Sequence, residues 1–274
     1  MSDKKTALLK LLDDPDPYVR ERVRQEIVEM RFEGLELVYK KTGSAALDDK
    51  AEIKIDILMD IIYGELQSEL EKKQKAVEKL VYIVSLLESP YYPFSFLENY
   101  YEKMAKEVQD ILLNETSQFK MMDALNEIFF VREEYYGNSN DYYNRANSCI
   151  NQVIESKKGI PISLSMIYLA IARRVGLKIS GVALPGHFMC RFIYKDFAGM
   201  IDVFHGGQVL TFAETRLYLA SMNFNIDVFR VADARAEEVA YRFLCNLINA
   251  YGRSRQLEKK KGVEKIAGMV KLYV

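Results

Sequence analysis

Two histidines serve the whole chain, His187 and His205, and one aspartate, Asp202, stands between them, fifteen positions after the first and three before the second. His187 opens a run to Tyr194 that reads as a strand, and Met200 to Phe204 reads as another. Period-two alternation places His187, Met189, Arg191 and Ile193 on one face of the first strand and Phe188, Cys190, Phe192 and Tyr194 on the other. A hairpin turning near Lys195-Asp196 sets Asp202 across from His187 on the neighbouring strand, where a carboxylate orients an imidazole for acid–base work. The same pair is an ordinary structural hydrogen bond across a sheet. Cys149 and Ser165 are the nucleophiles such a pair would need if it is a catalytic one. His205 completes a His-Asp-His set of metal-ligating types, but Gly206-Gly207 after it reads as a turn and no ligand motif accompanies it. No metal and no cofactor is therefore assigned. Arg191 shares the His187 face and suits either an anion at a pocket or a salt bridge at the strand's end.

These side chains need elements to hold them. From Ile160 to Ala172 thirteen residues carry no formal charge, with serines at Ser163 and Ser165, a pattern that suits a helix packed on all sides and too short to span a bilayer. Pro161 fits its first turn, and Arg173-Arg174 followed by Gly176 marks its end. Ile179 to Leu184 reads as a strand, joined to the His187 strand by a Pro185-Gly186 turn that lets the backbone come close to the central helix. Asn147-Ser148 reads as a helix cap before Ile150, Val153 and Ile154, with substrate contact as its functional alternative. Asn147, Pro161, Ser163, Pro185, Gly186 and Arg191 thus form the candidate pocket around His187 and Asp202.

The rest of the chain reads as helices. Asp13-Asp14-Pro15-Asp16-Pro17 separates two short amphipathic segments, a hairpin resembling one HEAT-type unit with no second copy. Gly34 and Gly43 punctuate the next stretch, and Leu47 to Leu87 carries Ile53, Ile57 and Ile61 at helical spacing, with the Glu69 to Lys75 run expected as a solvated face. Ser89-Pro90-Tyr91-Tyr92-Pro93 is a break. Helical spacing resumes from Phe94 to Phe130, and Tyr135 to Tyr143 is an aromatic connector expected to be pinned to the core by its rings. Leu210 to Met222 and Arg242 to Tyr251 are again helical. The domain division expected is 1–90, 91–235 and 236–274. Lys+Arg 38 against Asp+Glu 39 leaves a net charge of −1, which recommends no nucleic-acid partner. Three scattered cysteines form no disulfide framework or zinc motif and suit a reducing cytoplasm, and no apolar leader comes after the polar first residues.

The blocks Asn147-Ser148, Gly159-Ile160-Pro161-Ile162-Ser163-Leu164-Ser165, Leu184-Pro185-Gly186-His187-Phe188 and Ile201-Asp202-Val203-Phe204-His205-Gly206-Gly207 together resemble the transglutaminase-like superfamily, and most closely its SirB-type branch. Phe130 to Asn138 resembles a further segment of that family, and the resemblance spans about residues 75 to 250. It implies an α+β fold: a helical N-terminal region packed on a papain-like core with a central buried helix and a small antiparallel sheet. In active relatives a cysteine opens that helix and is activated by the His and Asp that come after it. Counting back fifteen positions from Gly176 reaches Pro161, which has no nucleophile. Many SirB-type relatives continue into tetratricopeptide-like hairpins, whereas the residues after Tyr251 have room for one helical pair. The resulting expectation is a non-catalytic, cytoplasmic protein that binds a protein partner or a small ligand. The alternative is a hydrolase or acyltransferase whose nucleophile has moved to Cys149 or Ser165.

Overall fold

A computed structural model describes residues 3–39, 51–90 and 92–274 of the chain. The readings placed on Gly43, Leu47 and Tyr91 fall outside them. The chain forms two compact units, one of residues 1–92 with 240–274 and the other of residues 93–239.

The first unit is helical: α1 (Asp3–Leu11), α2 (Pro17–Glu29), α3 (Phe32–Tyr39), α4 (Ala51–Leu70) and α5 (Val77–Ser85). Asp16 caps α2 by accepting the Tyr18 N–H at 2.9 Å, and Pro17 occupies the first helical position, where a missing N–H costs nothing. Along α4 the residues Ile57, Leu58, Ile61, Ile62 and Leu66 are all buried, so the apolar spacing becomes a core face. The expected solvated face at Glu69 to Lys75 is corrected at its first residue. Glu69 is buried, pairs with Lys72 at 2.5 Å and accepts the Ala76 N–H, tying down the turn that ends α4.

The second unit carries the site. Its helices are α6 (Phe94–Leu112) and α7 (Gln118–Asn126), followed by a π-helical turn over Glu127–Arg132. The helical spacing read from Phe94 to Phe130 is divided between helices where Leu113 adopts a left-handed cap. A short parallel pair, β1 (Tyr136–Gly137) with β2 (Lys158–Gly159), brackets α8 (Ile150–Ser156). The aromatic connector is held as its rings suggest: Tyr135 is buried and stacks on Phe129 with centroids 4.2 Å apart. Next comes α9 (Pro161–Val175), with Gly176 in the left-handed region at φ 81°. Leu164, Ile167, Tyr168 and Ile171 on it are fully buried, and the aliphatic side chains among them contribute roughly 1.5–3 kcal/mol each.

The sheet runs in chain order as β3 (Ile179–Leu184), β4 (His187–Tyr194), β5 (Phe197–Asp202) and β6 (Gln208–Thr211), antiparallel throughout. The β4–β5 hairpin turns at Lys195-Asp196, the expected place. Phe188, Cys190 and Phe192 are fully buried on one face, with α9 packed along β4. The other face supplies Val182, Leu184, Met189 and Met200 to a cluster closed by Leu219 of α10 (Phe212–Ser221). Two boundaries differ from expectation. β5 stops at Asp202 because Val203–His205 forms a 3-10 turn, and Leu210 belongs to β6, with Thr211 capping α10 through the Glu214 N–H.

The chain re-enters the first unit at Ala240, within α11 (Ala236–Arg253), and α12 (Leu257–Lys271) lies along α4. Tyr251 and Lys259 both reach Glu88, at 2.5 and 3.1 Å. No described helix is long and apolar enough to cross a membrane.

Candidate functional site

Strand alternation, one hairpin and one turn assemble the site. His187 is the first residue of β4 and shares its face with Met189, so its ring lies on the α10 side of the sheet, 5.7 Å from that of Tyr218. By continuation of the β4–β5 register Asp202 falls opposite Met189, two residues from His187 on the same face. The two side chains meet, His187 Nε2 to Asp202 Oδ2 at 2.8 Å, and both are nearly fully buried.

Asp202 does more than the alternation foretold. Its Oδ1 accepts the backbone N–H groups of Phe204 and His205 at 3.1 and 3.2 Å, which caps the 3-10 turn. That turn carries His205 back over the same carboxylate, and its Nδ1 lies 2.8 Å from Oδ2. Gly206 and Gly207 come next at φ 71° and 75°, conformations open to glycine, and a Cβ on Gly207 would fall 2.4 Å from the Phe130 ring. Burial alone would push the Asp202 carboxyl up. The hydrogen bonds and charge of His187 and then His205 outweigh it and hold the group below its ordinary value.

The remaining candidates separate. Pro161 is buried at the first position of α9, and Ser163 serves the helix start: its Oγ accepts the Ile160 N–H at 3.0 Å and donates to the Ile160 carbonyl at 3.1 Å. Ser165 is fully buried against Cys190, whose thiol is pushed by burial to about 12 despite the Ser165 hydroxyl beside it. Cys190 lies on the face of β4 away from His187, so Ser165 is on the α9 side of the sheet. Cys149 is fully buried and is itself the N-cap of α8, which corrects the cap expected at Asn147-Ser148. Asn147 instead sits in a 3-10 turn and ties a loop together, donating to the carbonyls of Asp141 and Tyr142 and accepting from Asn138.

Arg191 is drawn out of the pocket. Its Nη1 pairs with Asp233 at 2.7 Å and its Nη2 bonds the Val231 carbonyl, the salt bridge rather than the anion site. Pro185-Gly186 makes the two-residue β3–β4 turn, with Gly186 at φ 68°. The expected close approach there to the central helix is not what the glycine serves, since a Cβ would meet Phe224 at 3.6 Å.

Sequence reasoning missed a polar recess of about 510 Å³ lined by Tyr136, Asn138, Asp141, Asn144, Asn147 and Lys158 among others. Its signal was present in the Asn138 to Asn147 stretch, where turn-forming amides outnumber apolar residues.

The UPF0162 protein of Xylella fastidiosa (strain Temecula1 / ATCC 700964) is 38% identical over 122 residues, 44% of this chain and 42% of that protein. Human F-box only protein 21 is 30% identical over 155 residues, 54% of this chain and 23% of its own. The UPF0162 protein of Vibrio cholerae is 26% identical over 87 residues, 32% of each. In each of these three the match takes in less than half of the relative's length. No solved structure matches. The family profile described as the transglutaminase-like superfamily matches residues 97–244, more than half of the 274 residues, and takes in α9, the sheet and the His187–Asp202 pair. The chain belongs to the transglutaminase-like superfamily.

Proposed function

We propose that this chain is a non-catalytic member of the superfamily, of the SirB-type branch, that binds a protein partner or a small ligand in the cytoplasm and forms no covalent intermediate. The observation that carries the reading is the opening of α9. A thiolate at a helix N-terminus gains reactivity from the dipole and from an imidazolium beside it, and Pro161 stands at that position without a nucleophile. The two alternative nucleophiles are poorly placed for a substrate. Cys149 and Ser165 are both at zero exposure, and Ser165 faces Cys190. The recess beside Asn147 offers amides and the Lys158 ammonium for a polar ligand.

The test is turnover. Acyl-transfer and ester or peptide hydrolysis assays with the wild-type protein and His187→Ala are expected to give the same background rate. A wild-type rate clearly above background that His187→Ala abolishes overturns the reading.

A further inference from the structure

We infer that His187, Asp202 and His205 together bind a divalent late transition-metal ion of the zinc class. The inference deepens the reading above and rests on it in one respect: an imidazole nitrogen bound to a metal is not also a general base for a thiol.

Three observations carry it. First, the three donor atoms converge. His187 Nε2 and His205 Nδ1 each lie 2.8 Å from one oxygen, Asp202 Oδ2, and all three atoms are within 4.8 Å of one another. Bonds of about 2.0–2.1 Å to a tetrahedral ion set donor atoms roughly 3.3 Å apart. The set therefore reaches coordination when the two imidazole–Oδ2 distances open by about half an ångström and the two ring nitrogens, within 4.8 Å of each other, settle at the same spacing. The His205 side chain, 48% exposed, has room to make that movement.

Second, the carboxylate is already oriented as a metal ligand is. Two backbone N–H groups hold Oδ1, which leaves Oδ2 to face the imidazoles, and such outer hydrogen bonds are what position ligating carboxylates. Third, no fixed cation competes for the carboxylate. Asp202 is buried, and among the described residues no ammonium or guanidinium pairs with it; its ion-pair partners are the two histidines. A buried carboxylate is costly unless countercharged, and a divalent ion held between the two rings supplies countercharge directly at Oδ2. Two imidazoles and one carboxylate suit zinc, cobalt, nickel or ferrous iron rather than magnesium or calcium, which prefer all-oxygen sites. Three protein ligands leave at least one position for water or a ligand's donor atom, on the side that His205 opens to solvent.

The experiment uses the chelator-stripped full chain, titrated with Zn2+ against a chromophoric competitor and with Co2+ by visible absorption. The expected result is one ion per chain, cobalt bands of a four- or five-coordinate N/O site without a thiolate charge-transfer band, and affinity reduced by about 100-fold or more in His205→Ala. His205 is half-exposed, so this variant folds, and Asp202→Asn gives a second reading of the same loss with its fold checked by circular dichroism. Substoichiometric uptake, a thiolate band that assigns the ion to Cys245, or equal affinity in His205→Ala overturns the inference. An acyl-probe adduct would instead overturn the non-catalytic reading, so the two failures are distinguishable.

Discussion

Asp202→Asn isolates the electrostatics of the site because the side chains are nearly isosteric. In the wild type four hydrogen bonds converge on the carboxylate, two backbone N–H groups on Oδ1 and two imidazoles on Oδ2. An amide that keeps its oxygen on the backbone donors turns its NH2 toward the imidazoles, which must then switch tautomer to accept. All four bonds lose their ionic partner, and a charge-assisted bond exceeds a neutral one by about 1 kcal/mol or less once solvent exchange is counted. The variant is therefore expected to lose about 2–4 kcal/mol in urea unfolding, followed by tyrosine emission since the chain has no tryptophan. The pH dependence has a defined sign. Asp202 is held below its ordinary 3.8 in the folded protein, so its contribution is complete above that value and is lost as pH falls through the lower folded pKa. The gap between wild type and variant should thus close in acid. A loss under about 0.5 kcal/mol at neutral pH, or a gap that widens in acid, would refute the argument.

Other outcomes rest on single contacts. Ser163→Ala removes the hydroxyl that satisfies the Ile160 N–H and should cost about 1 kcal/mol, read as a fall of a few degrees in Tm. Gly206→Ala should cost about 1–2 kcal/mol for its positive φ alone, since a Cβ there meets nothing within 4 Å. Gly207→Ala should cost clearly more because it also strikes the Phe130 ring, and equal losses would contradict that packing. In thiol titration of the native protein Cys149 and Cys190, both at zero exposure, should stay unmodified while the partly exposed Cys245 reacts, and all three should react in denaturant. Early modification of Cys190 would mean that the α9 side of the sheet opens readily.

Much of the site was legible because it depends on short-range rules. Alternation from His187, the turn at Lys195-Asp196 and the glycine after Arg173-Arg174 fixed the face of His187, the neighbouring strand and the end of α9. What escaped was set by contacts rather than by period. Asp202 ended β5 two residues early because its side chain capped the next turn, and that cap is what brought His205 onto the same oxygen. An aspartate three residues before a histidine and Gly-Gly was the available clue. Arg191 left the pocket because Asp233 and the Val231 carbonyl, about forty positions away, offered a charge partner and an acceptor that alternation cannot see. Cys149 became a cap because Asn147 was taken up by loop carbonyls. The register of α12 along α4 joins distant segments, and no local pattern announced it.

The central claim is that a retained imidazole–carboxylate pair faces no usable nucleophile, and intact-mass analysis of the folded protein after treatment with a thiol-directed acyl probe and with a fluorophosphonate tests it most directly. The account predicts no adduct at Cys149 or Ser165, with labelling confined to what unfolded or surface-exposed groups take up. A stoichiometric adduct on either residue of the native protein, lost in His187→Ala, would contradict it.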